Sequence, residues 1–305
     1  MAVNNSLAKK KEQKMSLSNY LKRDVIKDKI NEVVGGKNGQ RFISSIVSAT
    51  TNNPTLQACD NGSILSAALL GESLNLSPSP QLGHYYMVPF NNKKKQCKEA
   101  QFQLGYKGYI QLAIRSGQYR KLNVESVKEG ELIKFDPFNE EIEVELIEDP
   151  EEREKAETIG YYAMFELTSG FRKAIYWSRK KMMAHADKYS MAFDAKKYEE
   201  LLAGKIPSSE AWKYSSFWYK DFDGMAFKTM LRQLISKWGI MSIDLQNAID
   251  GDMAVINEDG SKSYVETETE YIETEDFKVD EDGVVHEEAE VVDDNAAADA
   301  LFGGK

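Results

Sequence analysis

The chain has 305 residues and a formal net charge of −10, which taken whole argues against a polyanionic partner. It holds no run of about 18 apolar residues that would span a membrane, and no apolar stretch follows Lys9, Lys10 and Lys11 as a signal peptide requires. The charge is unevenly spread: residues 251–305 carry a net −15 and residues 1–250 a net +5, so the total averages an acidic tail and a mildly basic body.

Cys59 and Cys97 are too few for a disulfide framework and suit a reducing cytosol. With His84, His185 and His286 they show no zinc-site spacing. No G-x-x-x-x-G-K-[ST] phosphate loop occurs, which argues against an ATP-driven motor.

Along the chain, residues 1–15 are polar and basic and read as disordered. A helical pattern opens at Ser18, carries Leu21, Val25, Ile26, Ile30 and Val33, and stops at Gly35-Gly36. Helices are expected at about 40–50 and 63–74, followed by the break Ser77-Pro78-Ser79-Pro80. Residues 84–90 and 100–104 read as hairpin arms with a lysine-rich tip at Lys93, Lys94 and Lys95. A helix at about 107–115 ends at Ser116-Gly117. Strands follow at about 121–127, 131–135, 141–147, 159–167 and 171–176, then helices at about 178–187, 194–203 and 222–236. The expected fold class is α+β: a mainly antiparallel sheet with a β-hairpin, packed against several helices, plus a disordered acidic C-terminal tail. The expected division is a partly disordered basic segment and helix (1–35), a core (36–250) and the tail (251–305).

Within the body the charge falls in blocks. Residues 84–121 carry a net +7, residues 171–188 (which include Arg172 and Lys173) a net +5, and residues 129–157 a net −10. Lys107, Gln111 and Arg115 are four apart, so a helix stacks them as one stripe, with Ile110, Ala113 and Ile114 toward a core. Lys228 and Arg232 repeat the spacing opposite Phe227, Met230, Leu231, Leu234 and Ile235. A single stripe of this kind is usually a solvated helix face; two of them with a lysine-rich hairpin tip point to a phosphate backbone. Among the aromatics interleaved with these bases, including Tyr86, Tyr106, Trp177, Phe217 and Trp218, one or two are expected to stack on bases and the rest to be core.

Three segments together resemble a known family. Gln101-Phe102-Gln103-Leu104-Gly105-Tyr106-Lys107-Gly108-Tyr109-Ile110-Gln111-Leu112-Ala113-Ile114-Arg115-Ser116-Gly117 resembles the hallmark of the RecT family of phage and prophage annealing recombinases, which are related to Redβ. Leu82-Gly83-His84-Tyr85-Tyr86-Met87-Val88-Pro89-Phe90 resembles its strand before the hairpin, and Met225-Ala226-Phe227-Lys228-Thr229-Met230-Leu231-Arg232 with Ser242-Ile243 its C-terminal motif. The resemblance runs from about residue 40 to 250. It implies binding of single-stranded DNA in a positive groove and ATP-independent annealing of complementary strands, without covalent catalysis. It also implies a homo-oligomeric ring or filament in the bacterial cytoplasm. The implied ligands are a single strand and the newly annealed duplex, the implied partners a phage exonuclease and the host single-strand-binding protein. No cofactor is expected, with Mg²⁺ only a modulator of annealing. By motif, the DNA-facing residues are Lys107, Gln111, Arg115, Lys228 and Arg232; by charge alone, Lys93, Lys94, Lys95, Arg172 and Lys173 join them. Two rival readings remain: a metal-dependent nuclease using Asp221 and Asp223 with Glu166 or Asp187, and a passive single-strand-binding protein.

The tail admits three roles: solubilising segment, competitor for the groove, or docking site with a short helix at 296–302.

Overall fold

The computed structural model describes residues 15–264 except 37 and 52, together with the backbone of two short strands near the C-terminus. The expected disorder of the first residues and the suggested helix at 296–302 lie outside the described residues. The chain forms two compact units, residues 1–270 and 271–305.

The first unit opens with helices. The single helix expected from Ser18 is two, α1 (Leu17–Leu21) and α2 (Asp24–Val34), with Ser16 capping the first. Next come α3 (Gly39–Thr51), α4 (Pro54–Gln57) and α5 (Asn61–Ser73). Asn53 and Asp60 cap α4 and α5 by accepting the N–H groups of Leu56 and Ser63. Almost every residue of α5 is buried, because it lies against the sheet built by the hairpin.

That hairpin is β1 (Tyr85–Asn92) and β2 (Cys97–Leu104), antiparallel from Tyr85 opposite Leu104 to Asn92 opposite Cys97. Alternation gives it two faces: Tyr85 and Met87 are buried, with the Tyr85 ring stacked 5.0 Å from Phe102, while Tyr86, Val88 and Phe90 point the other way. Helix α6 (Tyr106–Arg115) follows. Its start requires glycine twice. A Cβ on Gly105 would stand 2.1 Å from the Gly83 carbonyl oxygen, and one on Gly108 2.2 Å from that of His84.

A second antiparallel sheet has the order β3-β6-β7, from β3 (Tyr119–Lys128), β6 (Thr158–Leu167) and β7 (Arg172–Ser178). Between its first two strands, β4 (Leu132–Asp136) and β5 (Glu141–Val144) form a two-stranded arm, followed by α7 (Pro150–Lys155). Then come α8 (Arg179–Tyr189), α9 (Ala195–Leu202), a 3₁₀ turn (Ser208–Lys213) and α10 (Phe217–Lys220). The seventeen-residue α11 (Phe222–Trp238) packs on all three strands of this sheet and on α6. Helix α12 (Ile243–Gly251) closes the series, with Ser242 as its cap.

The fold class is the α+β arrangement expected. One boundary is not. Residues 251–264 belong to the folded body: β8 (Ala254–Ile256) is buried beside β2 and pairs with β9 (Lys262–Tyr264), giving the sheet order β1-β2-β8-β9. Strands of three residues are too short to show a period, so the acidic composition around them hid them. In the second unit, β10 (Lys278–Val279) and β11 (Val285–His286) pair antiparallel; the other residues assigned to a disordered tail lie outside the described residues.

Candidate nucleic-acid interface

On α6, Lys107, Gln111 and Arg115 do share an exposed face. Ile114, expected toward the core, is also exposed. Arg115 has a structural task as well: its guanidinium donates to the carbonyls of Leu74 and Asn75 at 2.5 and 3.2 Å, satisfying the C-terminal end of α5. Lys107 lies at the Gly83 turn, beside the Tyr86 hydroxyl. Burial, then the charges of Arg115 and Lys107, lower the pKa of His84, which accepts the Ser77 N–H through Nδ1. Burial and these cations thus disfavour a charge on the adjoining imidazole.

Beyond Tyr86 a groove of about 740 Å³ opens. The outward face of the hairpin supplies Tyr86, Val88, Phe90, Gln101 and Gln103; α11 supplies Met225, Lys228, Thr229 and Arg232; Tyr189, Phe217 and Lys220 come from α8 and α10. Tyr86 and Phe217 bring their rings to 5.2 Å. Among the described residues, no aspartate or glutamate lines this groove. Its lining sets rings, amides, hydroxyls and cations among apolar side chains such as Met87, Val88, Met191 and Met253.

The second basic stripe corrects the reading from spacing. Lys228 is buried, and its Nζ lies 2.8 Å from Asp252. Arg232 is 3.5 Å from the other oxygen of the same carboxylate and about a fifth exposed. Asp252, completely buried, also accepts the Leu104 N–H at 2.8 Å. One carboxylate thus ties β2 to α11 and holds two cations at the groove. Next to it, Gln101 donates to the carbonyl of Met253. The partner of Lys228 lies 24 residues away and beyond the expected boundary, so helical spacing alone gave no sign of it.

Neither Lys107, Gln111 and Arg115 nor the remaining candidates line the groove. Lys93, Lys94 and Lys95 are exposed in the hairpin turn, with Lys95 paired to Glu99 at 2.7 Å. Lys173 on β7 pairs with Glu140 at 2.5 Å and sits 4.4 Å over the Trp238 ring, and Arg172 stands opposite Glu166 on the neighbouring strand. None of these five lines the groove. Conversely, the lining residues Lys220, Gln101 and Gln103, and Asp252 buried behind Lys228 and Arg232, escaped the sequence reading. The period-two run Tyr86, Val88, Phe90 facing Gln101 and Gln103 was the signal available for part of that set.

The carboxylates considered for a nuclease each have a partner. Asp221 caps α11 by accepting the Gly224 N–H at 3.0 Å, and Asp223 accepts the Tyr161 hydroxyl at 2.6 Å. Glu166 pairs with Arg120 at 2.9 Å, and Asp187 accepts the Ala195 N–H at 2.7 Å. Among the described residues no group of three or more His, Cys, Asp or Glu gathers to hold a metal, and no helix is long and apolar enough to cross a membrane.

Comparison with known proteins agrees with the motifs. The RecT family model matches residues 40–293. The chain is 38% identical over 239 residues to the uncharacterized protein YqaK of Bacillus subtilis (strain 168), covering 78% of this chain and 71% of that one. It is 30% identical over 215 residues to Protein RecT of Escherichia coli (strain K12), covering 70% of this chain and 71% of that one. From motif, fold and comparison together, the chain belongs to the RecT family, and with it to the proteins of DNA recombination by single-strand annealing.

Proposed function

We propose that the groove binds single-stranded DNA and that many copies of the chain along a strand anneal it to its complement without ATP. The observation that carries this reading is a groove in which, among the described residues, no carboxylate joins the lining and the tilted Tyr86–Phe217 ring pair stands beside cations. Phosphates repel carboxylates and attract the groove's Lys220 and Arg232. Bases stack on aromatic faces irrespective of sequence. Contacts to phosphate and ring leave base edges unread, as a protein that must accept any sequence requires. Annealing is slowed by repulsion between two backbones and by secondary structure in each strand; cations reduce the first and an extended bound strand the second. Pairing then contributes about 1.4 kcal/mol per stacked step, so the DNA supplies its own specificity. The strands would come from a partner exonuclease, and the host single-strand-binding protein would share the substrate.

The test is an annealing assay with two complementary oligonucleotides at moderate salt. Phe217→Ala is expected to lower single-strand affinity by about 5- to 150-fold, the equivalent of one lost stacking contact of about 1–3 kcal/mol, and to slow annealing with it. A Phe217→Ala protein that binds and anneals like the parent would show the groove assignment to be wrong. A parent that binds strands without accelerating their pairing would be a passive binding protein, and shortening of labelled DNA in Mg²⁺ would indicate a nuclease.

A further inference from the structure

We propose that the β4–β5 arm of one copy docks on the basic turn of the β1–β2 hairpin of the next copy. The inference deepens the function proposed above, because it rests on assembly in many copies.

Among the described residues, the arm's two strands pair only with each other in their sheet. It exposes four apolar side chains: Phe138 in its turn, at 96%, and Ile133, Val144 and Leu146 toward its base. Exposed apolar side chains gathered on one element mark a contact surface. Around them Glu141, Glu143 and Glu145 are exposed, within the segment 129–157 of net charge −10.

The arm is also held in place. At its base Glu131 is buried and receives Arg153 Nε at 2.6 Å, the Lys128 N–H at 2.8 Å and the Ile147 N–H at 3.4 Å. Near its turn Glu140 pairs with Lys173 and accepts the Ala174 N–H at 3.1 Å, while the Phe135 ring packs 5.3 Å from Tyr176. A surface fixed in advance loses little freedom on docking.

Charge selects the occupant. The hairpin turn exposes Lys93 and Lys94, β2 just past it exposes Lys98, and none of them lines the groove. This turn is organised too: Asn92 Oδ1 accepts the N–H groups of Lys94 and Lys95 at 3.0 Å each, and Asn92 Nδ2 donates to Glu99 at 2.7 Å. A fixed cationic turn and a fixed anionic arm on one chain are complementary between copies. Because the two surfaces differ, each copy offers one and receives the other. Such a head-to-tail contact propagates into a ring or an open helix.

Reversing charge on one surface at a time tests this in the full chain. The variants are Glu143→Lys with Glu145→Lys on the arm, and Lys93→Glu with Lys98→Glu on the turn; assembly is followed by mass photometry, free and on a poly-dT oligonucleotide. Each variant alone is expected to lose the assembled species, and a 1:1 mixture to recover them, because every contact is then again between opposite charges. Phe138→Ser, which changes no charge, is expected to weaken assembly as well. Binding of an oligonucleotide short enough for one copy, unchanged in the arm variant, separates failure of this contact from failure of the groove. Parent-like assembly by either variant alone, a parent that stays monomeric in both conditions, or a mixture no larger than its components would overturn the proposal.

Discussion

At the scale of residues, two buried carboxylates carry different consequences. Asp252, its side chain fully buried, compensates Lys228 and Arg232. Removing one partner of a buried pair leaves the other charge uncompensated, which costs about 3–5 kcal/mol. Lys228→Met is therefore expected to lower the denaturant unfolding free energy by that amount, and Lys228→Met with Asp252→Leu to lower it by less than Lys228→Met alone. Glu131 reports through pH. Burial pushes its carboxyl up, but the Arg153 hydrogen bond and the N–H groups of Lys128 and Ile147 outweigh that, so its pKa lies below the ordinary 4.5. A carboxylate with a lowered folded pKa stabilises the fold above its unfolded value and loses that contribution as pH falls through the folded one. Thermal melts taken downward from pH 7 are expected to show the parent losing stability below about pH 4.5, and Glu131→Gln, already destabilised at pH 7, losing less over that range.

At the scale of elements, α6 shows what helical spacing can and cannot reveal. The spacing of Lys107, Gln111 and Arg115 correctly gave one shared exposed face. It did not reveal that Arg115 reaches the end of α5. The two residues are thus expected to separate. Lys107→Ala should weaken strand binding about uniformly across sequences with an unchanged melting temperature. Arg115→Ala should cost on the order of 1 kcal/mol of stability, read as a lower melting temperature, in addition to any loss of binding. The hairpin was legible because two β-prone runs, 84–90 and 100–104, flank a polar lysine-rich turn. Helix α7 was not, although Asp149 and Pro150 supply its cap and first position, because the five charged residues after the proline carry no apolar period. On α11 the period was legible but the depth of Lys228 was not, since a lysine at a core-adjacent position reads as surface until its counter-ion is known.

At the scale of the whole molecule, the unequal charge of body and tail was plain in the composition, but the folded part extends past the residue where the charge changes. A truncation after residue 250 removes Asp252, β8 and β9, and is expected to lose the cooperative melt and strand binding. A truncation after residue 270, at the edge of the first compact unit, is expected to keep both; circular dichroism melts and binding to a labelled oligonucleotide compare them. The placement of Asp252 also sets an order on synthesis. Lys228 and the open edge of β2 leave the ribosome before the carboxylate and the strand that complete them. Domains fold as units while the chain elongates, so the groove should close only when translation has passed residue 256. Until then a half-made chain has no finished site with which to hold DNA, and nascent chains stalled short of Asp252 should remain open to protease at the hairpin while chains stalled well beyond it resist.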